Sequence, residues 1–350
     1  MPTNVYNFGA GPATLPKIVI DKITDRLGNF TDGMSIMEIS HRSSAFKDFA
    51  TQSEKNLRSL LQIDDSYAVL FLQGGATQQF SMVPMNLANQ GTVDYLITGA
   101  WSKKASDYAA YYSRLNIVAD SSDSNYKDVT DPTNWTLSKD AEYFYYCANE
   151  TIHGLEIHQI PSVSAPIVSD MSSTLCTRPI NIEKYGLIFA GAQKNLGIAG
   201  LTIVIVKKDL IIDKAKDLPP LMRFYSHYRN QSMLNTSPVF SWYVAGLVFE
   251  WILEQGGLDA MSKLNEKKAL LPYLVATPTL FLLGGMLVYY LVMPLAIKFF
   301  LSFETSAQVS SLPIQLEPKV NEYLSLIMRL IFAFGISFQL PILLSLLARV

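Results

Sequence analysis

Cysteine, histidine and net charge are all in short supply in this 350-residue sequence, and each shortage excludes something. Two cysteines, Cys147 and Cys176, build neither a disulfide framework nor a metal-ligand cluster, which suits a reducing compartment and makes the cytoplasm the expected location. Of the four histidines, His158 and His227 have no partner at metal-ligand spacing, so no metal is expected. The balance of 28 basic and 30 acidic residues leaves a net charge of -2. No polycationic surface follows from it, and nucleic acid is not an expected partner. The opening MPTNVYNFGAGP lacks the basic and apolar regions of a secretory signal. The length permits one large α/β domain or two smaller ones, and 49% hydrophobic residues exclude disorder.

Charge is also unevenly missing. From Ala269 to Val350 the charged residues are Lys298, Glu304, Glu317, Lys319, Glu322, Arg329 and Arg349. A charge-free run of 29 residues, Ala269 to Ile297, would as a helix be roughly 43 Å long, beyond the roughly 30 Å of a bilayer core. A second charge-free run, Leu330 to Ala348, carries Gly335 and Pro341, both tolerated in membrane helices. The pattern predicts two membrane spans, about 272–299 and about 324–347, rather than buried core helices. Lys263, Lys267 and Lys268 precede the first run and Arg349 ends the second, so both ends are expected on the cytoplasmic side. The loop near 302–320 is then outside.

Residues 1–268 read as a separate, soluble α/β unit. The apolar stretches YAVLFLQ (67–73), DYLIT (94–98), EYFYYCA (142–148), APIVSD (165–170), GLIFAGA (186–192) and LTIVIVK (201–207) alternate with helical patterns. Such alternation predicts a mostly parallel sheet with helices on both faces, and ligands gather at the carboxyl ends of its strands. GGATQQF (74–80) follows the first stretch, and its glycines allow a tight turn into a helix whose free amides can cradle a phosphate. Asp170 follows another strand, and Lys194 follows a third among small residues. Taken singly these are a structural turn, a helix cap and a surface lysine. Together they meet the needs of pyridoxal phosphate: an anion site, a carboxylate for the pyridine nitrogen and an amine for covalent attachment. Trp101, just past the second strand, is the natural residue to cover the ring.

These residues resemble phosphoserine aminotransferase, a fold-type I, class V family, over about residues 4–268. The resemblance is carried by NFGAGPATLP (7–16), MEISHRS (37–43), GGATQQF (74–80), GAW (99–101), NETIHG (149–154), SDMSST (169–174), GAQKNLG (191–197) and NTSP (235–238). It implies the large domain of the pyridoxal-phosphate transferase fold, with Lys194 as Schiff-base lysine and proton shuttle. Asp170 pairs with the pyridine nitrogen, Trp101 stacks on the ring and Thr151 hydrogen-bonds the cofactor. Ala76, Thr77 and Gln193 contact its phosphate, and Asn235 with Thr236 reach the cofactor phosphate of a neighbouring subunit, which implies a homodimer. His41 and Arg42 bind the substrate's phosphate. The implied reaction converts glutamate and 3-phosphohydroxypyruvate to 2-oxoglutarate and O-phosphoserine, in serine and pyridoxine biosynthesis.

After MSKLNEKKAL (261–270) the family would continue into a small carboxy-terminal domain with further substrate-binding arginines. Residues 269–350 instead resemble TatC, the multi-spanning subunit of the twin-arginine translocase, through FLLGG, VYYLVMPLAIKFF, YLSL and FAFGISFQLP. They correspond to its third and fourth spans, with Gln339 as a polar residue inside the second. The two resemblances meet near Lys268 to Leu271 without a Gly, Pro or Ser linker, the pattern of a chimera. An impaired transaminase with a two-helix membrane hairpin is the expectation. The alternative is a translocase fragment carrying an inactive enzyme-like head.

Overall fold

Short apolar runs with almost no charge are stable only in a sheet covered on both faces. In the computed structural model, which describes residues 11–303 and 320–342, they become strands β1 (Tyr67–Gln73), β2 (Thr92–Ile97), β3 (Arg114–Asp120), β4 (Ala141–Cys147), β5 (Asn149–Glu150), β6 (Leu155–Glu156), β7 (Ile167–Asp170), β8 (Leu187–Gly191) and β9 (Leu201–Lys207). Seven of them form one sheet in the order β1-β9-β8-β7-β4-β2-β3, and β5 and β6 pair as a short ribbon. The pairs β2–β3, β2–β4, β4–β7 and β7–β8 are parallel, whereas β9 runs antiparallel to both β1 and β8. The sheet is therefore mostly parallel. The sequence pattern names six of its seven strands. β3 escapes because most of its positions are partly or fully exposed and its polar Asn116 and Asp120 dilute the apolar run.

Alternation along β1 divides the core in two. Ala68, Leu70 and Leu72 face Phe80, Val83 and Tyr95 on one side. Phe71 faces the other way and stacks on Trp242 at 4.3 Å between centroids. Trp242 belongs to the helix Val239–Glu254, which packs on the helix Ser44–Leu61, and its indole N–H donates to Ser53 Oγ at 2.9 Å. Helices thus cover both faces. Because β9 reverses the chain between β8 and β1, the carboxyl ends of β1, β2, β4, β7 and β8 lie along one edge. The segments that follow them converge there.

The chain divides into two compact units, Met1–Ser262 and Lys263–Val350, within the helix Gly257–Leu287. In the second unit that helix passes through one π-helical turn, Val288–Val292, into the helix Met293–Leu301. The helix Val320–Phe338 packs against it in the opposite direction: Phe281 meets Phe332 and Gly335, whereas Gly285 meets Ile331. The crossing is close. A Cβ on Gly284 would stand 2.7 Å from the Phe334 carbonyl oxygen, and one on Gly335 would stand 2.6 Å from the Phe281 ring. Two stretches, Tyr273–Leu301 and Asn321–Ile342, are long and apolar enough to cross a membrane. Of their most apolar windows, 17% and 11% are buried within the described residues. The last residues of the second expected span, 343–347, lie outside the described residues.

Candidate active site

The phosphate cradle starts where β1 ends. Gly74 has φ +103°, a region that favours glycine, and a Cβ there would meet Gln78 Oε1. The chain then enters the 3-10 turn Ala76–Gln78 and the helix Gln79–Leu87. Amides in such a first turn precede any intrahelical acceptor and are free for an anion. Ala76 and Thr77 line a cavity of about 190 Å³. Gly191 brings Gln193 into the same wall, since a Cβ there would meet Gln193 Oε1 at 2.7 Å and the Ala76 methyl at 3.3 Å.

Asp170 ends β7 and is 7% exposed. Its Oδ1 accepts hydrogen bonds from the Ser172 amide at 2.9 Å and the Ser172 hydroxyl at 2.6 Å. Burial pushes its carboxyl above the usual carboxylate range, while the Ser172 bonds and the Lys194 charge pull the other way.

Lys194 Nζ donates to Thr151 Oγ1 at 2.9 Å and lies 5.5 Å from the centroid of the Trp101 ring. The Trp101 indole N–H donates to the same Thr151 oxygen at 3.2 Å. Gly11 crosses the lysine's stem, with a would-be Cβ 3.0 Å from Lys194 Cγ. The cavity therefore gathers Ala76, Thr77, Trp101, Asp170, Gln193 and Lys194, with Thr151 held against two of them.

The other four candidates lie elsewhere. His41 and Thr236 line a second cavity, of about 590 Å³, whereas Arg42 is exposed and Asn235 is half-buried in neither lining. His41 Nε2 is buried with no hydrogen-bond partner among the described residues, and burial, Arg42 and Lys47 together lower its pKa. Sequence reasoning passed over Glu150, Asn149 and Cys147, which surround the first cavity or its walls. For Glu150 a signal existed, its place beside Thr151 in NETIHG.

This donor set fits pyridoxal phosphate: a glycine-turn anion cradle, a buried carboxylate, an amine beside it and an aromatic wall. Known proteins agree. Residues 5–279 match the family model Aminotransferase class-V, and residues 233–350 match that of the Sec-independent protein translocase protein (TatC). The chain is 49% identical over 269 residues to the phosphoserine aminotransferase of Vesicomyosocius okutanii subsp. Calyptogena okutanii, covering 76% of this chain and 75% of that one. The phosphoserine aminotransferase structure from Bacillus circulans subsp. alkalophilus superposes with a TM-score of 0.74 at 39% identity, covering 77% and 76%. A pyridoxal-phosphate-bound phosphoserine aminotransferase from Trichomonas vaginalis gives 0.72 at 42% identity, covering 75% of each chain. The chain belongs to the class-V aminotransferase family, among the phosphoserine aminotransferases.

Proposed function

We propose that this chain transfers the amino group of glutamate to 3-phosphohydroxypyruvate, releasing 2-oxoglutarate and O-phosphoserine, with pyridoxal phosphate held in the 190 Å³ cavity. The observation that carries the reading is the convergence of Asp170, Lys194 and Trp101 on one cavity floored by a glycine turn. When bound, pyridoxal phosphate supplies an electrophilic carbon and a protonated ring that withdraws electrons from the substrate's Cα. Asp170 keeps the proton on the ring nitrogen. Lys194 is the covalent anchor, and its Nζ carries the proton to and from the substrate's Cα, steered by Thr151 Oγ1. Trp101 walls the cavity beside Lys194 and would exclude water from a ring bound there.

His41 and Arg42 hold the substrate phosphate in this reading, and Asn235 with Thr236 serve the cofactor phosphate of a second subunit. What supports a homodimer is that His41 and Thr236 share a cavity apart from Lys194, so one chain does not bring them to its own cofactor. What supports an impaired site is that the aminotransferase match stops at residue 279 and the match beyond it is to TatC, where the family's small domain would supply a wall and further arginines. Slow turnover follows. The hairpin formed by Tyr273–Leu301 and Asn321–Ile342 attaches the enzyme unit to the inner membrane, with that unit on the cytoplasmic side.

The test is the purified full chain in detergent, supplied with pyridoxal phosphate, glutamate and 3-phosphohydroxypyruvate. Expected are cofactor binding and equal yields of 2-oxoglutarate and O-phosphoserine, at a rate orders of magnitude below that of the family's intact enzymes. A chain that binds no pyridoxal phosphate overturns the reading, and a rate equal to theirs overturns the impairment.

A further inference from the structure

We infer that Glu150 is a positioning residue for Trp101, fixing the indole over the cavity from behind; the inference rests on the cofactor reading above. Glu150 is fully buried in β5 and does not line the cavity. Its Oε2 accepts from the Trp101 amide at 2.9 Å and its Oε1 from the Ser102 amide at 2.8 Å. Both amides sit in the first turn of the helix Ala100–Ala109, whose N-cap, Gly99, has no side chain to bond them. A carboxylate from another strand takes that role, where the helix dipole favours negative charge.

Gly99 is the other half of the device. Its φ of 169° is extended backbone that any residue adopts, so its glycine answers a need for space. A Cβ there would stand 2.5 Å from Glu150 Cδ. The next residue, Thr151, accepts from the indole N–H and from Lys194 Nζ. One dipeptide, Glu150–Thr151, therefore grips Trp101 at its backbone amide and at its ring nitrogen. An indole held by the ring nitrogen alone pivots about that bond; with the backbone amide fixed as well, its plane is set.

The experiment uses the full chain in detergent with Glu150→Gln, Gly99→Ala and Trp101→Phe. Without cofactor, the near-ultraviolet circular dichroism of Trp101 is taken as the difference from Trp101→Phe; with cofactor, pyridoxal phosphate affinity is read from its induced visible dichroism. Glu150→Gln sets a donor against a backbone donor, and Gly99→Ala displaces the carboxylate while keeping its charge. Each should erase most of the Trp101 signal and weaken cofactor binding about tenfold. In a Trp101→Phe background Glu150→Gln should cost no more than about a further twofold, because the residue it acts through is gone. An intact Trp101 signal in both variants, or fully additive losses in the double variant, overturns the inference. If Glu150→Gln does not fold, Gly99→Ala decides. If the unsubstituted chain binds no pyridoxal phosphate, the cofactor reading falls and the cofactor-free dichroism still decides the role of Glu150.

Discussion

Lys194 and Trp101 donate to one oxygen, Thr151 Oγ1, at 2.9 and 3.2 Å. A hydroxyl oxygen has two lone pairs, so both are used and the hydroxyl hydrogen is left for a third partner. The amine, held at one point and set beside an aromatic face, has few orientations left before any ligand arrives. That is the preorganisation an attacking amine needs.

Lys194→Ala should therefore abolish covalent capture of pyridoxal phosphate. After borohydride reduction and proteolysis, the unsubstituted chain should carry the cofactor's mass on the peptide containing Lys194, and the variant should carry none there. A reduced adduct that persists on another lysine of the variant at comparable yield would remove Lys194 from its assigned place.

Asp170→Asn should separate stability from binding. Burial raises the folded carboxyl's pKa above its unfolded value, so between those two values the folded chain holds a proton that the unfolded chain has lost. Stability falls as pH rises through that window, which starts near the ordinary carboxylate pKa of about 3.9, and the deficit persists at neutrality. Asparagine carries no charge and still accepts from Ser172. The cofactor-free variant should melt at a higher temperature at pH 7 than the unsubstituted chain, while its pyridoxal phosphate affinity drops roughly ten- to a hundredfold, the size of a lost charge-assisted bond. A lower melting temperature together with unchanged affinity would contradict both arms.

Much of the site was legible in the sequence because strand ends are. β1 and β9 coincide with YAVLFLQ and LTIVIVK, and the residues just past β1 and β8 and at the end of β7 are those singled out for cofactor chemistry. What the sequence hides is contact between segments. Glu150 is marked in the sequence by its place beside Thr151, but its bonds to the first turn of the helix Ala100–Ala109 show only once that helix is placed against β5. Likewise His41 and Thr236 stand 195 positions apart, and only folding brings them to one cavity. β3 was missed for a local reason, since all but one of its positions are exposed or half-buried and need no apolar residue.

His227 should make the chain sensitive to acid. It is 6% exposed in the helix Phe224–Arg229, and its Nε2 lies 2.9 Å from the Leu221 carbonyl, which only accepts, so Nε2 carries the hydrogen. Nδ1 is buried without a partner among the described residues, and burial lowers the pKa despite the Leu221 bond. Below the ordinary histidine value of about 6.5 the unfolded chain takes up a proton that the folded chain refuses, so stability falls as pH drops. The slope from this residue is at most about 1.4 kcal/mol per pH unit. His227→Gln, which can still donate to Leu221, should flatten the decline in melting temperature between pH 7 and 5. An unchanged slope would place the sensitivity elsewhere.

The hairpin makes the last prediction, about which side of the membrane each part occupies. Leu274, Leu282, Tyr290, Phe299 and Phe332 are among many large apolar side chains left exposed in the second unit. Each such Leu or Phe exposed to water forgoes about 1.5–3 kcal/mol, which a hydrocarbon environment restores. The full chain should sediment with membranes and require detergent. On the proposed reading, Lys263, Lys267 and Lys268 before the first span favour an orientation with the enzyme unit inside. The native thiols, Cys147 and Cys176, are both buried and contribute little background to labelling. A cysteine placed at Ser310, outside the described residues, should react with a membrane-impermeant thiol reagent in intact cells, and one at Ser262 should not. Equal labelling at the two positions, or recovery of the full chain as a soluble monodisperse protein, would mean that these helices cover each other or the rest of the chain, and that the hairpin does not span a membrane.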